Sequence, residues 1–218
     1  PNLGASVDEE YLIRELGKAE ESGEESLRGF LAKHLNVEIG LALRSDRWVG
    51  ADYWEPQART GITLEYLIER CEVIDVGIDG GGLDDLLGLS AVGRNRLTKE
   101  WILWAKAWAH PSVLERRKSE AARFRDFAKD GDLVLAKTIG DDITELAQIV
   151  AQIEESGLLD KVGCDPIGLG GILDALAAED IPAEKIVGIS QGWKLGGAIK
   201  TTERKLAEGT LLHSGSPM

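Results

Sequence analysis

Apolar residues recur along the chain at two distinct spacings, and each spacing predicts an element. Near the start, Tyr11, Leu12 and Leu16 share a helical face behind Asp8, a capping residue type, and Ser22-Gly23 ends the run. Leu27, Phe30, Leu31 and Leu35 repeat that spacing over 25–35. Residues 36–60 carry Trp48, Tyr53, Trp54 and Pro56 without a period and read as a connector, after which Thr63 can cap a short helix through Leu64, Leu67 and Ile68. At Val73 the spacing changes. Val73–Asp79 is a short β-branched run ended by Gly80-Gly81-Gly82, Leu86–Val92 is a second strand, and the loop between them predicts a hairpin. Trp101–Trp108 alternates bulky and small residues as a third strand, stopped by His110-Pro111.

Downstream the pattern predicts one Arg-rich helix over 113–129, a short strand over 132–137, and a helix capped by Asp141 or Asp142 that carries Ile143, Leu146, Ile149, Val150 and Ile153. A strand at Lys161–Cys164 closed by Asp165-Pro166, a helix over 172–178, a strand over 185–190 and a helix over 197–207 follow. The order hairpin, strand, helix, strand, helix, strand predicts an α/β domain with a mixed sheet flanked by helices, preceded by a helical connector. The boundary falls at 72/73, with the connector over 1–72 and the sheet domain over 73–218.

Composition first argues against nucleic acid as a partner. The 218 residues hold 25 Lys and Arg against 38 Asp and Glu, a net charge of −13, whereas phosphate contacts need bases. Charge is segregated, however. Residues 94–129 have a net charge of +6 and residues 185–218 of +3, on either side of an acidic segment of −11 at 130–184. Arg116, Arg117 and Arg123 in the first basic stretch, and Lys194, Lys200 and Arg204 in the second, are therefore candidate phosphate contacts, although a solvated helix face also explains such runs.

Cys71 and Cys164 are too few for a disulfide framework or a zinc site and are expected to be reduced thiols. No apolar run spans a bilayer and the start lacks a signal-peptide pattern, so a soluble intracellular protein is expected, with no membrane partner. His34, His110 and His213 lack zinc-site spacing, and no Walker-type phosphate loop occurs.

Two carboxylates stand out. Asp79 ends the first strand of the sheet domain ahead of three glycines, and Asp165 ends a later strand ahead of Gly168, Gly170 and Gly171. Strand ends are where open α/β sheets place ligand-facing groups. A pair of carboxylates on adjacent strands suits Mg²⁺ or Mn²⁺ and not zinc. Asp85 is a further candidate ligand, whereas Asp75 lies about 13 Å from Asp79 at the rise of a strand. Turn formation beside glycine and helix capping are the plainer roles for these Asp residues.

Val76-Gly77-Ile78-Asp79-Gly80-Gly81-Gly82-Leu83-Asp84-Asp85-Leu86-Leu87-Gly88-Leu89 resembles the first hairpin of the nuclease domain of tailed-bacteriophage terminase large subunits. The resemblance continues through 104–110 and Val162-Gly163-Cys164-Asp165-Pro166, then through Gly188-Ile189-Ser190-Gln191-Gly192-Trp193-Lys194-Leu195 and 199–206. Pro1-Asn2-Leu3-Gly4 and His34-Leu35-Asn36-Val37 resemble the end of the preceding ATPase region and its connector.

The resemblance implies an RNase H-like fold and a metal-dependent endonuclease that cuts concatemeric double-stranded DNA during viral packaging. It implies two Mg²⁺ or Mn²⁺ ions, with Asp79 and Asp165 as catalytic metal ligands. A third acid is expected on a helix beyond residue 218, which leaves the domain C-terminally incomplete. Implied partners are double-stranded DNA, the ATPase domain of the same polypeptide, the small terminase subunit and the procapsid portal, in the host cytoplasm. Two rivals remain at this stage: a non-catalytic docking module for portal or small subunit, and an actin-like kinase half, for which Gly168-Leu169-Gly170-Gly171 is a poor second phosphate loop.

Overall fold

The computed structural model describes residues 9–35, 48–165, 170–190 and 192–216. The chain divides into two compact units, residues 1–54 and 55–218. In the first unit, α1 (Glu9–Glu21) and α2 (Glu24–Leu35) pack on each other, and the short α3 (Ala51–Trp54) follows. Gly23, at φ 105°, makes the turn between α1 and α2, which a side chain would strain. Ala19 and Phe30 are buried, and the Phe30 and His34 rings lie 4.7 Å apart. The expected cap Asp8 and residues 36–47 of the connector lie outside the described residues.

The second unit begins earlier than the sequence pattern places it. After a 3-10 turn at Glu55–Gln57, α4 (Leu64–Arg70) is capped by Thr63, whose hydroxyl accepts the Tyr66 N–H at 3.2 Å. Ile62, Leu64 and Leu67 are buried in the main core, so residues 55–70 pack with the sheet instead of joining the helical connector.

The sheet has seven strands: β1 (Cys71–Gly82), β2 (Asp85–Asn95), β3 (Trp101–Ala109), β4 (Leu133–Leu135), β5 (Leu159–Cys164), β6 (Ile186–Gly188) and β7 (Leu211–His213). The order β4-β3-β2-β1-β5-β6 combines an antiparallel β1–β2–β3 meander with β5 and β6 added in parallel beside β1. Both β4 and β7 pair in parallel with β3, at opposite ends of it. This is the mixed sheet flanked by helices that the sequence pattern predicts. One face is closed by α7 (Asp141–Glu155), whose Leu146, Val150 and Ile153 are fully buried in one cluster with Ile74, Val76, Ile78, Leu87 and Leu89. Each such side chain contributes about 1.5–3 kcal/mol by leaving water. α8 (Gly170–Ala178) packs on α7.

Three details depart from expectation. The single helix predicted over 113–129 is two, α5 (Pro111–Arg116) and α6 (Ala121–Asp130), because Arg117 leaves helical geometry at φ −100°, ψ 58°. Its side chain binds the β1–β2 hairpin. β1 runs on through Gly80, which sits at φ 78°; a Cβ there would stand 2.1 Å from the Leu86 carbonyl oxygen, so only glycine fits. β7 is three residues long and carried no pattern of its own. α9 (Gly196–Ala207) leads into it, anchored by buried Leu206.

Candidate functional site

Alternation along β1 sends Ile74, Val76 and Ile78 into the core and leaves Asp75, Gly77 and Asp79 on the other face. Small residues surround them there: Gly88 pairs with Asp79, Ser90 with Gly77, and Ala105 and Ala107 follow on β3. The result is an open cavity of about 830 Å³ along the sheet. Parallel pairing of Ile78 with Cys164 makes the next residues neighbours, Asp79 within β1 and Asp165 just after β5, and both line this cavity.

Five carboxylates line it in all: Asp75, Asp79, Asp132, Asp160 and Asp165. The two lysines on its wall have other engagements. Lys161 donates its ammonium to the Glu184 carbonyl at 3.2 Å, and Lys106 pairs with Glu145. The cavity is therefore strongly negative and attracts cations. The Asp75 carboxyl is pushed above its usual range, first by burial and then by the charge of Asp160, although it accepts the Lys161 backbone N–H at 3.1 Å.

Among the described residues no group of three or more His, Cys, Asp or Glu side chains is placed to hold a metal. Asp79 and Asp165 are the neighbouring carboxylates that could hold a hard cation such as Mg²⁺, which commonly takes one or two carboxylates and completes its shell with water and substrate oxygens.

The remaining candidates separate. Asp85 does not line the cavity; its Oδ1 accepts Arg117 at 2.8 Å and the Leu86 N–H at 2.9 Å. Arg117 also donates to the Asp84 carbonyl oxygen at 3.0 Å, and the Ser112 hydroxyl donates to that of Leu83, so α5 grips the hairpin tip. Arg116 lines a second concavity with Lys118 and Arg125, about 710 Å³ in volume. Arg123 lies over the Phe127 ring, Arg204 binds Glu208 at 2.8 Å, and Lys194 and Lys200 are exposed.

Topology sets these groups around the carboxylates. β3 ends, and β5 and β6 end, at the same end of the sheet as Asp79. The basic stretch of α5 and α6 therefore starts at one flank of that end, and the stretch holding Lys194 and Lys200 starts at the other. With strands about 4.8 Å apart, β3 and β6 are about 19 Å from each other. Sequence reading missed Asp132 and Asp160. Asp132 sits just after the helix-ending Gly131 and resembles any turn residue, and Asp160 reads as one polar position of a short strand.

No family model matches the chain, and no curated protein matches it. Among solved structures, the HK97 bacteriophage large terminase aligns with it over 100% of this chain, with a TM-score of 0.58 and 19% sequence identity. The chain shares its fold with that terminase. It spans 43% of the HK97 chain's length. At this identity the likeness to the HK97 terminase speaks for the fold, and the chemistry rests on the residues in the groove. No helix among the described residues is long and apolar enough to cross a membrane.

Proposed function

We propose that this chain is the nuclease portion of a DNA-packaging terminase, a divalent-cation-dependent endonuclease acting on concatemeric double-stranded viral DNA. The observation that carries the reading is the adjacency of Asp79 on β1 and Asp165 just after β5, in an open acidic groove. The shared fold with a phage terminase and the two basic stretches at the same end of the sheet support it.

Asp79 and Asp165 would hold the cation. A bound Mg²⁺ or Mn²⁺ supplies Lewis-acid stabilisation of a phosphoryl oxygen and lowers the pKa of a coordinated water. Small residues on the groove floor (Gly77, Gly88, Ala105) admit a phosphodiester backbone, which side chains there would keep away. Arg116, Lys118 and Arg125 on one flank, and Lys194 and Lys200 on the other, hold neighbouring phosphates without reading bases. They also screen the repulsion between DNA and five carboxylates. In this reading the chain works in the host cytoplasm with the ATPase domain, the small terminase subunit and the procapsid portal.

Incubation of supercoiled plasmid with the protein and Mn²⁺ tests the proposal. Nicked and linear products that vanish with EDTA and with Asp79→Asn are expected. Equal cutting by Asp79→Asn overturns the assignment. Absence of any cutting favours the docking module.

A further inference from the structure

Trp193 is 87% exposed, more than any other large apolar side chain among the described residues. A single exposed apolar residue needs no explanation by itself. Three observations set this one apart. First, its position is tied to the groove. Ile189 lines the cavity, donates its N–H to the Cys164 carbonyl at 2.7 Å, and so lies beside Asp165. Trp193 follows four residues later, which keeps it within about 14 Å of Ile189.

Second, its surroundings are cationic. Trp193, Gly197, Lys200 and Arg204 follow at intervals of four, three and four residues, and all four are exposed, with exposed Lys194 beside them. Residues 185–218 have a net charge of +3 in a chain of −13. Gly197 has open space above it, so nothing at that position keeps a partner away from the stripe. Third, the indole rests on regular backbone. The 3-10 turn Gly192–Leu195 runs directly into α9, which buried Leu206 anchors and whose Lys205 lies 5.0 Å over the Trp101 ring.

Charge complementarity commits this surface to a polyanion, and the aromatic ring narrows the class. An indole gains little from phosphate, whereas every base offers a face to stack on. Within an intact duplex those faces are already covered. We propose that Trp193 stacks on an unpaired base beside the cut, so that the groove prefers DNA with a frayed or single-stranded segment over an uninterrupted duplex. This deepens the nuclease reading and rests on it for the identity of the nucleic acid.

The test uses the full chain in EDTA, where cleavage plays no part. Binding is read by fluorescence anisotropy on a blunt duplex and on the same duplex with a single-stranded overhang containing 2-aminopurine. Loss of one stacked base is worth about 5- to 150-fold, so Trp193→Ala is expected to weaken overhang binding about fivefold or more. Blunt-duplex binding should change less than about twofold, with an unchanged slope of affinity against salt, since no cation is removed. Trp193→Phe should keep overhang affinity within about threefold and retain the quenching of 2-aminopurine that the Ala variant loses. The side chain is exposed, so the melting temperature should not move.

Equal binding of both DNAs by wild type and Trp193→Ala overturns the proposal, as does failure of the wild type to bind either. The plasmid assay is read separately. Asp79-dependent cutting with Trp193-independent binding removes the stacking site alone. Trp193-dependent overhang binding without Asp79-dependent cutting supports the stacking site and removes the nuclease.

Discussion

Ile78 on β1 pairs in parallel with Cys164 on β5, and this one register fixes where Asp79 and Asp165 stand. Both pairing residues are buried in the core, so the two carboxylates are held by packing. If both carboxylates hold one cation, they act as a unit and their losses do not multiply. Asp79→Asn and Asp165→Asn should each lower plasmid cutting about 100-fold or more, and the double variant should fall little further. Rates from quenched time courses at fixed Mn²⁺ check this. Multiplicative losses would mean separate roles.

Lys106 and Trp108 of β3 form a network with Glu145 of α7. Trp108 is wholly buried and donates its Nε1–H to Glu145 at 2.7 Å, while Lys106 pairs with the other oxygen. Burial pushes the Glu145 carboxyl up, but the bonds from Lys106 and Trp108 outweigh it and leave the group below its usual value. Glu145→Ala strands a buried donor and should cost about 1–3 kcal/mol in urea unfolding at pH 7. Because the folded value is the lower one, this carboxylate's contribution is present above its unfolded pKa and fades as pH falls through the folded value. Glu145→Gln should therefore flatten the acid limb of the stability curve.

Arg117 separates from its basic neighbours. Its guanidinium binds Asp85 and the Asp84 carbonyl at the tip of the β1–β2 hairpin. Arg117→Ala should leave the salt dependence of DNA binding unchanged and lower stability by about 0.5–1.5 kcal/mol. Lysine should not restore it, because it lacks the fork that reaches both oxygens. Arg116→Ala and Arg125→Ala should each reduce the slope of log affinity against log salt by about 0.9 and leave melting unchanged.

Asp75 gives a pH dependence of opposite sign. Burial and the neighbouring Asp160 raise its carboxyl above the usual value. The folded chain thus binds the proton more tightly than the unfolded one, and this group's contribution to stability falls as pH rises through the folded value. Asp75→Asn keeps an acceptor for the Lys161 N–H and removes the charge. It should raise the melting temperature at pH 7 more than at pH 4, as followed by circular dichroism.

The sheet was legible in the sequence where one face is dry. Val73–Asp79, Leu86–Val92 and Trp101–Trp108 each carry enough β-branched or bulky residues to show the period, and α7 shows its buried stripe just as clearly. Elements decided by tertiary contact were not legible. Nothing local separates α5 from α6, because the break exists to turn Arg117 onto a hairpin 32 residues earlier in the sequence. β7 forms because β3 offers Trp101–Leu103 as an edge, and its three residues show no alternation to read. Residues 55–70 read as connector because the short helix through Leu64 and Leu67 does not reveal what it packs against; in the fold both join Ile62 in the main core. Asp79 and Asp165 could be nominated from strand ends and glycines, but the register of Ile78 with Cys164 that makes them neighbours is a property of the folded sheet.

Manganese titration followed by electron paramagnetic resonance of the free ion tests the cation site most directly, because it needs neither DNA nor turnover. The wild-type chain should take up one Mn²⁺ that Mg²⁺ displaces, and Asp79→Asn and Asp165→Asn should each abolish that uptake while Asp85→Asn retains it. Undiminished uptake by both Asp79→Asn and Asp165→Asn would contradict a shared cation site between β1 and the end of β5.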